Sequence, residues 1–454
     1  GEALMALKSS KKLLLSLSVA AALSCSAGNA FADGDRVEAL EARVAELEAL
    51  VRQMASQPQQ APAPSSAEVE ATAEAIAEAK VEEIMAQHQA EEAEKTHKHS
   101  YKFGGYVKLD AMYSDYSGGA VAGNSAGRDF YIPSTVPVGD DGESYLDMHA
   151  QESRINFRST HNLDNGSKVT TFLEMDFLAS GQGNEVVSNS FSPLLRHAFI
   201  SYNKWTIGQT WMTFFNVGAL PENLDFVGPA ESTVFGRNPM IRYTSGNWQF
   251  AAENPESLVM AYEGDSRKAY DTSKVPDLVA RYNLSGDWGS FAAAAIGRQL
   301  RYEDSGTSDT ASAYGISLSG KHPIGEKDDF RWMATIGKGL GRYIGVALTS
   351  DAVMDSEGNL HTIDSTSIFG SYRHFWNEKW RSNFTLGYTS IDNDIEFTGV
   401  DKATSEASSL HVNLIYSPVP KLDFGIEYMH ANREVESGVD GDLDRFQFSA
   451  KYAY

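Results

Sequence analysis

A chain of 454 residues with a single cysteine holds no internal disulfide, and a formal charge of −23 excludes a nucleic-acid partner, whose phosphates need clustered lysine and arginine. Hydrophobic content of 42% with 38 glycines and 20 tyrosines suits a β-rich chain. Beyond residue 32 no run approaches the roughly 20 apolar residues of a membrane helix, which excludes helical spanning.

Lys8, Lys11 and Lys12 precede the apolar run Leu13 to Leu23, and Ala30-Phe31-Ala32 gives a small-x-small pattern before Asp33. This order reads as a secretory signal peptide over residues 1–32. Cys25 follows Ala22-Leu23-Ser24, a poor lipobox, so removal with the leader is the simpler reading and acylation the alternative.

Residues 33–56 read as a coiled coil, because Val37, Leu40, Val44, Leu47, Val51 and Met54 recur at alternating spacings of 3 and 4. With valine at a and leucine at d, Arg36 and Arg43 fall at g, each five residues before a glutamate at e, Glu41 and Glu48. Both segments match the Arg-h-x-x-h-Glu pattern of short trimeric coils, whereas branched a positions with leucine at d favour dimers. The doubled motif favours trimerisation through Arg36, Val37, Leu40, Glu41, Arg43, Val44, Leu47 and Glu48, with a dimer as the alternative that the coil alone leaves open. Residues 57–66, with Pro58, Pro62 and Pro64, cannot continue a helix and read as an extended linker. Residues 67–100 carry an Ala/Glu-rich helix with a stripe through Val69, Ala73, Ile76, Val81 and Ile84, then a linker. His97 and His99 in that linker have no third metal ligand nearby in sequence, which favours a solvated segment over a metal site.

From Tyr101 the period changes to two: Tyr101, Phe103, Val107, Leu109 and Tyr113 alternate with Lys102, Tyr106, Lys108 and Asp110. Runs of the same kind recur to the last residue, where Phe446, Phe448, Ala450, Tyr452 and Tyr454 alternate with Arg445, Gln447, Ser449 and Lys451. Sixteen such runs predict an all-β transmembrane barrel of about 16 antiparallel strands over residues 101–454, carrying an N-terminal α-helical coiled-coil extension. Long connections (114–143, 180–192, 213–236, 255–274, 303–310, 340–361, 390–406 and 432–441) alternate with short ones rich in turn formers. The long loops therefore share one rim, and both ends of the barrel lie at the other, which faces the periplasm in outer-membrane barrels. A barrel of this strand number leaves an aqueous channel.

Outward residues of such a barrel touch lipid, so charged residues of the opposite parity face the lumen. Lys108, Arg154, Arg158, Arg242, Arg281, Arg298, Arg331, Arg373, Arg381, Arg445 and Lys451 are inward on this argument, against Asp110, Glu152, Glu174, Asp176, Asp277, Asp423 and Glu427. The lumen is thus basic although residues 101–454 carry 45 acids and 29 bases, a net of −16. Guanidinium groups at a constriction would favour small anions, unless they pair with acids on neighbouring strands and stiffen the wall. The connection 213–236 holds Phe214, Phe215, Pro221, Phe226, Pro229 and Phe235, too apolar for a solvated excursion, and predicts a loop folded into the lumen. That would bring Glu222, Asp225, Phe226, Glu231 and Arg237 to the constriction. Packing of the same loop on a neighbouring subunit is the alternative.

Gly208-Gln209-Thr210-Trp211, the run Leu220 to Pro229, Pro239-Met240-Ile241-Arg242-Tyr243 and Gly339-Leu340-Gly341-Arg342-Tyr343-Ile344 resemble the DcaP-like trimeric porins of Gram-negative outer membranes. The resemblance spans the chain from stalk to final strand, and departs from the family at Tyr454, where phenylalanine is the commoner ending. It implies a homotrimer in outer-membrane lipid and lipopolysaccharide, with the stalk in the periplasm, admitting small anionic solutes such as dicarboxylates and aromatic acids. A second reading makes the protein an envelope tether whose coil contacts peptidoglycan or a periplasmic partner. No enzyme is indicated: Gly337-Lys338-Gly339-Leu340-Gly341 lacks the helix a phosphate loop needs, and there is no Gly-x-Ser-x-Gly, His-Glu-x-x-His or paired-cysteine site, and no cofactor is implied.

Overall fold

The structure, a computed structural model, describes residues 98–454 apart from Gln182 and Asp265. The leader, the coil with its Arg36 and Arg43 motifs, the linker, the Ala/Glu-rich helix and His97 lie outside the described residues.

The alternating segments form strands β1 (His99–Tyr116), β2 (Glu143–His149), β3 (Arg154–Asn162) and β4 (Lys168–Asp176), a two-residue pair β5 (Gly183–Asn184) and β6 (Ser190–Phe191), then β7 (Leu194–Tyr202), β8 (Trp205–Trp211), β9 (Arg237–Ser245) and β10 (Trp248–Glu253). They continue with β11 (Ser257–Met260), β12 (Arg267–Tyr270), β13 (Asp277–Gly286), β14 (Gly289–Asp304), β15 (Thr307–Ile324) and β16 (Asp328–Lys338). After β17 (Ala352–Met354) and β18 (Leu360–Thr362) come β19 (Asp364–Phe375), β20 (Trp380–Asp392), β21 (Thr404–Val419), β22 (Leu422–Val435) and β23 (Asp440–Ala453).

Pairing is antiparallel around the wall and closes where β1 meets β23, Tyr106 opposite Ala453 through Tyr116 opposite Leu443. The other edge of β1 is shared: β3 covers His99–Tyr106 and β2 covers Asp110–Tyr116. These two strands are successive halves of one wall position, interrupted at Ala150–Ser153, where Ser153 N donates to Ala150 O and Ser153 Oγ takes the Lys108 N–H. Counted by position, the wall has sixteen strands. Closure removes the exposed edges that an open sheet would present.

Polarity is inverted relative to a water-soluble barrel. Val107, Leu109 and Tyr113 are exposed on the outer face while Lys108, Asp110 and Met112 between them are buried. The final strand repeats the arrangement, with Phe446, Phe448 and Tyr452 outward and Arg445, Gln447 and Ser449 inside. An apolar outer band with the charges inside is the pattern of a sheet solvated by lipid.

Two of the eight connections read as long are short. β14 and β15 run on to a two-residue turn at Ser305-Gly306, both with positive φ (50° and 88°), the geometry that matches strand twist in tight hairpins. Between β22 and β23 only residues 436–439 intervene. Other long connections build structure of their own: β11 pairs with β12 and, in parallel, with β17, which pairs with β18.

The lumen is packed by loops. Phe214, Phe215 and Val234 meet Leu340, Tyr343 and Ile344 against wall residues Met333 and Phe369. A second cluster joins Phe130, Tyr131 and Val136 of the connection after β1 with Val227, Ala230 and wall residues Met429 and Leu443.

Candidate lumen site

The connection 212–236 leaves the wall at β8, crosses the barrel interior and returns at β9. An irregular backbone in that position needs partners for its polar groups. The inward arginines supply them. Arg242 Nε donates to Thr213 Oγ1 (2.8 Å) and its Nη2 to Trp211 O; Arg281 reaches Phe215 O (2.7 Å) and Asn216 Oδ1 (2.9 Å); Arg331 reaches Leu220 O (2.5 Å). Lys108 Nζ donates to Leu224 O at 2.8 Å and pairs with Glu152.

On the far wall the carboxylate of Glu427 accepts from Leu224 N (2.8 Å), Asn223 Nδ2 (3.2 Å) and Asp225 N (3.3 Å). Thr389 Oγ1 donates to Glu231 O and Ser409 Oγ to Glu231 Oε1. Gly387 makes room for that carboxyl: a Cβ there would stand 2.0 Å from Glu231 Oε1 and 2.6 Å from Ser232 Oγ. Gly387→Ala is therefore expected to loosen the loop by about 1–3 kcal/mol, the cost of overpacking, and to raise open-channel current noise without abolishing assembly.

The expected constriction residues thus divide. Glu222 is partly open, its carboxylate held by Arg373 Nη1 (3.1 Å) and by Arg381 through Nε (3.0 Å) and Nη2 (2.6 Å). Burial would raise its pKa, but the hydrogen bond and charge of Arg381, with Arg373, bring it below the ordinary value. Asp225 and Glu231 are instead fully enclosed. Asp225 accepts from Val227 N and Gly228 N and from Tyr131 N, which ties the loop tip to itself and to the connection after β1. Phe226 packs edge-on against Phe130 and Phe235.

Arg298 is sealed, its side chain wholly buried between Asp277 (3.0 Å) and Asp351 (2.8 Å). Arg373 and Arg331 also share Asp329. Arg445 donates to Ser114, Tyr116 and Gly127 O. Arg158 is exposed and lies over Phe172. Most of the basic lining is thus engaged with loop carbonyls or acids.

A cavity of about 320 Å³ remains on the lumen side of the loop, bounded by Lys108, Arg154, Arg196, Arg381 and Lys451 and by Glu152, Glu222, Asp225 and Asp423. In one corner Arg196 pairs with Glu174 (3.0 Å) and Asp176 (2.6 Å), which Arg154 also approaches at 3.6 Å. Arg196 escaped the parity reading because the strand shifts register between Glu174 and Met175, which brings Arg196 and His197 inward together. Alternation leaves no mark of such a bulge. Near this corner Arg237 lies over Trp211 and Phe235. At the end of β1, His99 Nδ1 contacts His161 Nδ1 at 2.7 Å, and among the described residues no third metal ligand joins them.

The family model for the DcaP outer membrane protein matches residues 79–454. The fold is similar to the outer membrane channel DcaP of Acinetobacter baumannii, at 22% identity over 79% of this chain and 98% of that one, with a TM-score of 0.64. Looser similarities connect it to the trimer form of OmpT from Vibrio cholerae (9% identity, 79% and 100% covered, TM-score 0.47) and to an anion-selective porin from Comamonas acidovorans (12%, 79% and 100%, 0.47). No curated protein matches the sequence.

Proposed function

This chain belongs to the DcaP outer membrane protein family, and from that premise we propose that its channel passes small solutes by diffusion with a preference for anions, dicarboxylates and aromatic acids among them. It is an outer-membrane channel rather than an enzyme. The observation that supports anion preference is the state of the cations on the lumen cavity. Lys451 lines it with its Nζ 4.2 Å from the centre of the Tyr106 ring and forms no ion pair within 4 Å among the described residues. Each acid there is held by a base: Glu152 by Lys108, Glu222 by Arg373 and Arg381, and Asp423 by Arg381. Asp225 lies 3.8 Å from Arg445. An entering carboxylate meets positive charge that is not already neutralised, in a setting where water screens it poorly.

The test is reversal potential across a planar bilayer under a salt gradient. Wild type should prefer chloride, and Lys451→Glu, which moves two charges on the cavity wall, should cut that preference severalfold. Cation preference in the wild type would overturn the reading. We further propose that the protein is a homotrimer held in part by residues 33–56 with the long-loop rim facing outward; chemical cross-linking of the full chain and of a variant lacking those residues separates coil from barrel contributions.

A further inference from the structure

In sequence His99 stands in a polar segment beside His97, but the fold gives it a different neighbour. β1 and β3 pair with His99 directly opposite His161, 62 residues along the chain, and with Phe103 opposite Phe157. Direct partners in an antiparallel pair project from one face of the sheet. The two Nδ1 atoms accordingly meet at 2.7 Å, with the ring centroids 4.9 Å apart and the planes tilted by 60°. Tyr101 and Phe103 continue the same face and are open to the outside, and the Tyr101 ring meets His161 edge-on at 5.6 Å. Next to the pair, Lys98 and Asp164 neutralise each other at 3.5 Å, so together they present no net charge to an arriving cation. Two imidazole nitrogens that face each other have two uses: they share one proton, or they hold one ion.

We propose that His99 and His161 form a cross-strand binding site for a tetragonal divalent ion of the copper and nickel class, at the rim where the chain enters β1. The spacing selects the geometry. Two nitrogens each about 2.0 Å from one ion stand roughly 2.8 Å apart at a right angle and roughly 3.3 Å apart at the tetrahedral angle. The observed 2.7 Å matches neighbouring corners of a square and is too short for a tetrahedron. Both rings lie at the surface, and each brings its lone pair onto the ion by turning about its Cβ–Cγ bond, a torsion with a broad minimum. Among the described residues no third protein ligand joins them, so water completes the shell and the ion stays exchangeable. Of the divalent ions, Cu(II) binds two imidazoles most tightly. The bound ion clips the first residue of β1 to the penultimate residue of β3. The site is separate from the lumen cavity and does not rest on the channel reading.

Cu(II) titration of the full-length protein, purified without a histidine tag and in the presence of a weak competing chelator, tests the site. Wild type should take up one tightly bound Cu(II) per chain, with electron paramagnetic resonance showing coupling to two imidazole nitrogens. His161→Phe keeps a ring against Tyr101 and removes the nitrogen. It should weaken binding by roughly a hundredfold or more, the loss expected when a two-point attachment becomes one-point. His99→Phe should lose as much, and the double variant should lose no more than either, because one change already destroys the chelate. Zn(II), which prefers the tetrahedral angle, should compete poorly at equal concentration. Heat-modifiable mobility on a gel reports assembly, and His161→Asn replaces His161→Phe if that variant does not assemble. Coupling to a single nitrogen, or an affinity unchanged in the assembled His161 variant, would overturn the site and leave the pair sharing a proton. Loss of binding in His97→Ala with none in the His161 variant would overturn it as well, by placing the ion on the segment 97–99 alone.

Discussion

Replacing Arg298 by leucine is expected to detach the loop cap over the long-loop side of the barrel, at a cost of about 3–5 kcal/mol, the usual penalty for stripping one partner from a buried ion pair. The side chain is fully enclosed and ties four segments together. Nε pairs with Asp277 on β13, Nη1 with Asp351 and with Gly339 O (2.5 Å), and Nη2 with Glu256 O (2.5 Å). Asp351 in turn accepts the backbone N–H of Leu258 (2.9 Å) and of Arg342 (3.0 Å), so one guanidinium organises both chain segments that pair as β11 and β17. Leucine would leave the buried carboxylate of Asp351 without its cation and that of Asp277 with only the more distant Arg342, at 4.0 Å. The cheaper outcome is for residues 339–363 to leave the lumen. Limited proteolysis of intact outer-membrane protein should then cut within that segment in Arg298→Leu and spare it in wild type. Adding Asp351→Asn should return part of the loss, because it removes the buried charge while its amide oxygen keeps one of the two backbone N–H groups that the carboxylate accepts. Equal protease resistance in wild type and variant would show that packing alone holds the cap.

How much of this the sequence discloses differs by feature. The inward parity of Lys108, Arg154, Arg242, Arg281, Arg331, Arg373 and Arg381 is legible because backbone pleating imposes a period of two and lipid forbids the alternative. What each arginine does there is not legible. Arg242, which tethers Trp211 O, and Arg298, which lies sealed between two aspartates, occupy indistinguishable positions in the pattern. Their difference comes from partners supplied by loops far along the chain, Asp351 being 53 residues from Arg298. The entry of residues 213–236 into the lumen follows from their phenylalanines, since a solvated loop would not carry them. That Asp225 and Glu231 would be enclosed rather than facing solute does not follow, because the recess behind Glu231 is made by an absent side chain at Gly387. The turn at Ser305-Gly306 was hidden for a related reason: polar residues on strands that extend past the apolar band look like loop in composition.

Docking of the inserted loop is expected to weaken as pH rises through neutrality, with Glu231 as the titrating group. Its carboxyl is fully buried; desolvation raises its pKa to about 7 from an ordinary 4.5, although the charge of His411 and the Ser409 hydroxyl pull the other way. Tyr131 and His411 face it from the connection after β1 and from β21, and its Oε2 has no hydrogen-bond partner among the described residues. The docked loop therefore holds a proton that the released loop would lose. Full docking strength exists below the ordinary carboxyl pKa, declines above it, and is reduced by about 3 kcal/mol once pH exceeds 7. Asp225, also raised by burial, adds to the same trend. Glu222 works in the opposite sense: its pKa is lowered, so its tie to Arg381 and Arg373 weakens as pH falls rather than as it rises. Docking is thus tightest on the mildly acid side, where Glu222 is charged and Glu231 is not. Single-channel recordings should show gating noise growing between about pH 5 and about pH 8 in wild type. Glu231→Gln keeps the acceptor for Ser409 and removes the titration, so its noise should stay low and flat over that range. A slope that persists in Glu231→Gln would assign the pH response to another group, His411 first, since its charge acts on Glu231 more strongly than that of any other side chain.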